Sequence, residues 1–517
     1  MSLGLIRESI FGRLVYHFSG KRLFRHRDEE PDYVVPEKYT AVSDDKIIKV
    51  EWDGDDDPEN PKNWPFINRL YFIFQVGLLT ASIYMGSAIY TPGVLNVMDE
   101  FDISLTVGYL PLSLFVVGYG LGPMIFSPLS EHPAMGRLNI YIITLTMFVI
   151  LQIPTALANN IAGLLVLRFL AGVFASPALT TGGASIGDVL TPANVPIGIT
   201  CWSIAGTGGP ALGPLIGGVL TEKAGWRWTF WFLLILGGAT LFTLFFTFPE
   251  TSEVTLLYRK AQRLRKLTGN DKITSDGHIK LAELEPKEIL IETFWRPFEI
   301  AFGEPVVFLI NLYCGLMYAV LYLWFEAFPN VLTNIYDFSM ILTGVGYCSI
   351  LAGNVIGALS YLPIQKRTFI KPLENGVQVA PEVFLPGAIG GAILQPTGIF
   401  IFAWSSTASA HWIGPMIGAG IFSAGSFIGF QTLLSYLAFS FHRYQASVFA
   451  GNGLFRAAFG ASFPLFANEL YKNLGSEKYP VGWGCSILGF IATAMISIPT
   501  LFYLNGVRLR ARSKYAN

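Results

Sequence analysis

Residues 229–248 read TFWFLLILGGATLFTLFFTF, twenty positions without a charged side chain. At about 1.5 Å per residue such a run builds a helix of about 30 Å, the thickness of a bilayer's hydrocarbon core. The next stretch, PETSEVTLLYRKAQRLRK over 249–266, carries seven charged side chains. The alternation between apolar span and polar connection continues outward in both directions. Before it, spans are read near 70–91, 106–127, 139–158, 162–182 and 197–220; after it come 305–328, 340–362, 383–404, 412–437, 446–468 and 481–504. The predicted fold is an all-α membrane protein of twelve transmembrane helices in two pseudo-symmetric six-helix halves. The divisions are an N-terminal segment (1–69), a first half (70–248), a central loop (249–301), a second half (302–504) and a tail (505–517). Two such halves suit a transporter whose site lies between them near the midplane. A channel or an intramembrane enzyme stays open on layout alone.

Composition agrees. Of 517 residues, 52% are hydrophobic and 14% charged, where soluble chains carry about 25% charged residues; mean hydropathy is +0.48. A net charge of −1 gives no basic field to gather nucleic acid. The four Cys are far apart in apolar runs, which suits reduced, buried thiols. With both termini and the central loop in the cytoplasm, 29 of the 35 Lys and Arg lie inside, as the positive-inside rule asks. No signal peptide is read, and Ser2 in place of Gly excludes myristoylation. Ile6, Ile10, Leu14 and Phe18 step by four beside basic residues, so residues 3–18 are either an interfacial helix or a plain tail. The acidic run Asp53-Gly-Asp-Asp-Asp-Pro58 fails as a calcium loop and reads as a solvated linker. Leu256 to Leu267 reads as a basic amphipathic helix stopped by Gly269. No phosphate-cradling loop and no hydrolase or metalloprotease motif is present. The expectation is a chain that is not an enzyme, with no metal or cofactor, driven by an ion or solute gradient.

The fifth span contains Gly206-Thr-Gly-Gly-Pro-Ala-Leu-Gly-Pro-Leu-Ile-Gly-Gly218. Gly209, Gly213 and Gly217 step by four and form a smooth ridge. Pro210 and Pro214 each remove a helix donor and favour a bend. The ridge is either simple tight packing or a flexing point between the halves. Gly209-x-x-x-Gly213-Pro214-x-x-Gly217-Gly218 resembles the antiporter motif of the major facilitator superfamily's drug:proton antiporters. Leu167-Arg168-Phe169-Leu170-Ala171-Gly172 resembles that family's R-x-x-x-G motif. The loop after the second span, with Gly122-Pro123-Met124, Ser127 to Glu131 and Gly136-Arg137, is similar to the fungal form of the gating-loop motif. It departs from the pattern by the extra residues after Glu131 and by His132, and a weakened charge clasp is expected. Trp52-Asp53-Gly54, Pro58 to Pro65, Ser87 to Gly93, Trp226 to Trp231, Pro249-Glu250-Thr251 and Leu509 to Tyr515 resemble yeast multidrug-resistance permeases nearly end to end. That resemblance implies the major facilitator fold and proton-driven efflux of amphipathic drugs such as fluconazole, benomyl, methotrexate and cycloheximide across the plasma membrane. It implies a monomer whose partners are drugs, protons and the lipid bilayer.

Within the spans, Arg168 would cost about 2.5–3.5 kcal/mol at a helix centre without a partner. By resemblance it serves proton coupling, though an Arg cannot itself carry the proton; a structural Arg bonded to carbonyls is the alternative. Arg456 shares a face with Phe449, Asn452 and Phe459, as a pocket wall or a packing surface. Asn311, Tyr318, Tyr322 and Glu326 form a stripe on the seventh span, and Glu326 is the one carboxylate well inside a predicted span. Glu326 is therefore the candidate proton acceptor, with Arg168 and Arg456 the other proton-coupling candidates; a solvated Glu326 that selects cationic drugs by charge is the alternative. Tyr84, Asn354 and Gln431 are further pocket candidates or helix-packing glue. Such a lining suits apolar, flat or cationic ligands through burial and cation–π contact. A sugar facilitator, a polyamine exporter and a non-transporting sensor are the competing readings. Against the first stands Pro249-Glu250-Thr251-Ser252, where sugar porters usually have P-E-S-P-R, and against the last a tail of about a dozen residues.

Overall fold

The computed structural model describes residues 3–36, 39, 47–283 and 291–516; Ser2 and residues 284–290 of the central loop lie outside them. In hydrocarbon a backbone must satisfy its polar groups internally, and the apolar runs form helices. We label the long ones α1 (Phe66–Ala88), α2 (Leu105–Leu121), α3 (Gly136–Ala156), α4 (Ile161–Ala175), α5 (Val195–Ala224) and α6 (Trp228–Thr247). The second set is α7 (Pro305–Leu332), α8 (Cys348–Gln365), α9 (Leu385–Ser405), α10 (Ile413–Ser440), α11 (Gln445–Leu474) and α12 (Gly482–Met495). Among the described residues, ten helical segments are long and apolar enough to cross a membrane. The other two, α5 and α11, have the length, at 30 residues each. Gly, Pro and Thr dilute the first, and Asn, Arg and Lys the second. These are the helices that carry the glycine ridge and Arg456, and their neighbours are protein on several sides. Around the outside Ile143, Ile150, Ile235, Phe242, Ile356, Leu359, Phe490 and Leu504 are exposed. A soluble monomer rarely shows so continuous an apolar belt.

Small residues set the packing. A Cβ on Gly118 would lie 2.3 Å from Phe169 O, and one on Gly172 would lie 2.1 Å from Phe115 O. So α2 and α4 touch backbone to backbone, and Gly172 of the R-x-x-x-G motif brings Arg168, one turn earlier, hard against α2. On α5, Cβ atoms at Gly213 and Gly217 would lie 2.8 Å from Ile89 N and 2.1 Å from Ile89 O, and Gly209 faces Tyr84 Cβ at 3.0 Å. The four-step ridge therefore packs on α1 of the same half: of its two readings, tight packing holds and the interface between halves does not. A different face of α5 makes that interface. Gly218 faces Met340 O at 2.9 Å, and Gly344 faces Pro214 O at 2.9 Å, both across to the α8 segment. Positions four apart share one helix face, while Gly218, only one residue past Gly217, looks elsewhere. A second seam joins α2 to α11, where Ser113 Oγ donates to Ala461 O at 2.7 Å.

Both termini and the central loop lie on one face. The N-terminal helix Ile10–Phe18 packs on α6 through Phe11 and Phe246, 4.9 Å between ring centroids. The loop helix Glu253–Thr268 ends at Gly269 in the left-handed region (φ 67°), as its sequence predicts. A short parallel pairing sets Ile48 beside Ile273 and Lys49 beside Thr274. At the other terminus, Arg510 forms a double hydrogen bond to Glu382 (2.9 and 3.0 Å), and Tyr515 Oη donates to Glu299.

Candidate functional site

Four helices, two from each half, bring tyrosines and an arginine together at the centre. On α7, Tyr318 and Tyr322 lie one turn apart with rings 6.1 Å apart and nearly parallel. From α1 and α2 come Tyr84 and Tyr119, 5.4 Å apart. From α11, Arg456 NH1 donates to Tyr318 Oη at 2.8 Å. Tyr84 and Tyr119 both lie within electrostatic reach of Tyr318, Tyr322 and Arg456. Tyr322 sits over Gly460 of α11, whose added Cβ would meet its ring at 3.4 Å. One turn before Arg456, Asn452 Nδ2 donates to Asn311 Oδ1 at 3.0 Å. The hydroxyls of Tyr84, Tyr119 and Tyr322 face this interior without a hydrogen bond of ordinary geometry among the described residues. Buried polar groups are rarely left so, and a cluster of them where the two halves meet is where a ligand finds partners. Sequence reasoning missed Tyr119; its only signal was a bulky ring set between Gly118 and Gly120.

Arg168 is fully buried. Nε donates to Pro111 O (3.2 Å) and NH2 to Ser87 O (3.3 Å), so it ties α4 to α2 and α1. Its guanidinium lies 4.4 Å over Phe115, 5.6 Å over Phe230 and 6.0 Å over Tyr90. Glu326 is elsewhere. It lies two turns beyond Tyr318 on α7, 5% exposed, with neither carboxyl oxygen bonded among the described residues. Its titratable neighbours are Tyr109 of α2 and Tyr471 of α11. The structure thus brings neither Arg168 nor Arg456 into an ion pair with Glu326. Tyr471 also lines a cavity of about 590 Å³ on the face remote from the termini, with Asn330, Asn334, Asn468, Lys472 and Lys478.

Three pocket candidates stand apart from the tyrosines. Asn354 Oδ1 accepts from Ser423 Oγ at 2.7 Å and glues α8 to α10. Phe449 packs, partly buried, against the second half's apolar core. Gln431 follows Phe430, the ring that lies 6.5 Å from Tyr318, and its Nε2 has no partner among the described residues.

The loop between α2 and α3 is held by charge. Arg137 binds Asp188 through two bonds, Nε to Oδ2 at 2.6 Å and NH2 to Oδ1 at 3.2 Å, and Thr251 Oγ1 joins Oδ2 at 3.1 Å. Glu250, fully buried, accepts from the amides of Arg137 and Leu138 (both 3.2 Å) and of Thr251 and Ser252 (both 3.0 Å). Gly136 is at φ +72°, and a Cβ there would strike Glu250 Oε2 at 2.2 Å. Gly122 is held as tightly, 2.2 Å from Ser176 Oγ. The expected weak clasp is thus corrected: Glu131 is exposed, and the acids that do the clasping are Asp188 and Glu250. Asp188 is 51 residues from Arg137 in sequence, which no local spacing reveals.

Above this gate sits a charged cap. Glu250 N donates to Glu8 O at 3.3 Å, and Arg13 NH1 to Asn139 Oδ1 at 3.2 Å. Arg263 pairs with Asp28 (2.9 Å), Lys260 with Asp53 (2.8 Å) and Arg7 with Glu59 (2.8 Å). The acidic run read as a solvated linker is therefore docked on the loop helix at Asp53 and at buried Asp57. Burial pushes the Glu8 and Glu59 carboxyls up, but His26, Arg7 and Arg263 outweigh it and hold both below the usual carboxylate range.

Residues 76–464 match the sequence profile of the Major Facilitator Superfamily. The chain is 49% identical to a cycloheximide resistance protein of Candida maltosa, with 99% of each chain covered. It is 43% identical to the transporter mfs1 of Schizosaccharomyces pombe, again over 99% of each. It is 42% identical to fluconazole resistance protein 1 of Saccharomyces cerevisiae, over 90% of this chain and 85% of that one. Among solved structures it resembles the proton:xylose symporter XylE bound to 6-bromo-6-deoxy-D-glucose, with a TM-score of 0.58 at 16% identity, covering 85% of this chain and 96% of that one; the likeness is one of fold. Apolar helices, two packed sets of them and a near-complete match to fungal resistance transporters converge on one statement: this chain is a multi-pass membrane protein of the major facilitator superfamily, a transporter family and not a family of enzymes.

Proposed function

We propose that this chain is a drug:proton antiporter that exports amphipathic organic compounds, azoles and cycloheximide among them, from the cytoplasm across the plasma membrane. The observation that carries this reading is the tyrosine–arginine cluster buried where the two halves meet. Large aromatic area with a few hydrogen-bonding groups suits ligands of varied shape. The names of the cycloheximide and fluconazole resistance relatives support the substrate class. In this reading α5 and α11 also cross, giving twelve spans with both termini in the cytoplasm and halves at 70–248 and 302–504. The working unit is a monomer without a cofactor. Drug binds Tyr84, Tyr318, Tyr322, Asn452 and neighbouring groups, and the halves rock about the seams. An ionised carboxylate costs far more to bury than the neutral acid, so Glu326 takes its proton from the remote cavity past Tyr471 and releases it to the cytoplasm as the halves turn over. Arg168 and Arg456 stay charged and bias that exchange. The test is efflux of a panel of fluorescent drugs from cells expressing the protein, with and without a protonophore. Uphill efflux that collapses with the gradient supports the reading, and protonophore-insensitive equilibration overturns it.

A further inference from the structure

Among the described residues, Arg456 is the one formally charged side chain in the tyrosine cluster, and it has no counter-ion there. It is 7% exposed. Its interacting neighbours are Tyr318, Tyr84, Tyr119 and Cys314, and no carboxylate among the described residues lies within ion-pair distance. NH1 is used by Tyr318, while Nε has no partner. A buried guanidinium in this state gains strongly from an incoming anion or hydrogen-bond acceptor. Asn311 Nδ2, on the amide that accepts from Asn452 one turn before Arg456, is a further buried donor without a partner among the described residues.

The aromatic faces point the same way. The Arg456 guanidinium lies 4.9 Å over the Tyr318 ring and 5.0 Å over the Phe430 ring. Ring faces that would attract a cationic drug are therefore covered by the protein's own cation. A second positive charge brought there meets like charge in a weakly screening interior. The sequence expectation that this lining suits cationic ligands reverses once the arginine is placed on the rings.

We infer that the central site selects planar compounds that are neutral or anionic and rich in hydrogen-bond acceptors, such as carbonyls, ring nitrogens and carboxylates, and that it excludes lipophilic cations. This rests on the tyrosine cluster being the drug site. Arg456 then acts as a specificity-determining residue, touching the ligand.

The experiment uses inside-out vesicles from cells expressing the full chain, with a proton gradient imposed and the membrane potential clamped at zero. The probes are three coumarins that differ in one substituent: carboxamide, carboxylate or trimethylammonium. The neutral and anionic probes should accumulate at least about tenfold faster than the cation. Arg456→Gln should narrow that gap, slowing the carboxylate and admitting the cation, while Arg456→Lys should keep the order; protein levels in the vesicles are measured for both. Because the wild-type ratio alone decides, a variant that fails to fold does not spoil the test. Accumulation of the trimethylammonium probe as fast as the carboxamide overturns the charge selection and leaves drug export standing. If no probe accumulates and the cells gain no cycloheximide resistance, export itself fails and the selection with it.

Discussion

Glu326→Gln separates two roles open to one buried carboxyl. If Glu326 exchanges the proton, the amide should abolish uphill efflux of a neutral azole and flatten the pH dependence of vesicle transport, at unchanged protein level. If it only selects ligands by charge, azole export should persist with its pH dependence intact. Arg168 calls for a different comparison. Its two carbonyl partners and three rings tie α4 to the α1 end, α2 and α6, so Arg168→Ala should abolish drug resistance while the protein still reaches the membrane. Arg168→Lys should be impaired too, because a compact ammonium cannot reproduce the planar fork. Full resistance in the Ala variant would remove Arg168 from the mechanism.

Among the elements, α5 is tightly constrained. Gly213→Leu places a branched side chain where even a Cβ would lie 2.8 Å from Ile89 N. Overpacking of this kind costs about 1–3 kcal/mol, and here it pushes α5 off α1 and displaces Tyr84, one turn before Ala88. Efflux should fall at least tenfold, read as drug accumulation per transporter at the surface; normal efflux would mean the ridge does not govern turnover. The helices themselves were legible in the sequence, because an apolar run of about 20 residues has one stable answer in lipid. So was the stop at Gly269. Which neighbour a glycine face meets was not legible, since the four-step spacing fixes a face but not its partner. Arg137 and Asp188 show the same limit for charge, and Tyr84 with Tyr322 shows it for the site: the residues that meet come from different halves.

For the molecule as a whole, the charged cap makes the central-loop face sensitive to acid. Glu8 and Glu59 are held below their ordinary value of 4.5, so the stability they contribute is fully present above that pH and is lost as pH falls through their lowered values. Asp28, raised because burial outweighs Arg263, works in the opposite sense and softens the transition. Limited proteolysis of detergent-purified protein should therefore cut the N-terminal segment slowly at pH 7 and faster below about pH 4; equal rates would mean the acid pairs do not hold the cap. The same arrangement divides the loop. Glu253–Thr268 is bolted to the first half through Glu250, Arg259 and the N-terminal segment. Arg296–Gly303 instead lies along α11, where an added Cβ on Gly451 would meet Ala301 Cβ at 2.8 Å. Each side of the loop thus has its own anchor, and a break between residues 283 and 291 should be tolerated. Two separately translated fragments divided there should assemble in one membrane and restore growth on cycloheximide, whereas a division at 249, which strips the first half of its loop helix, should not.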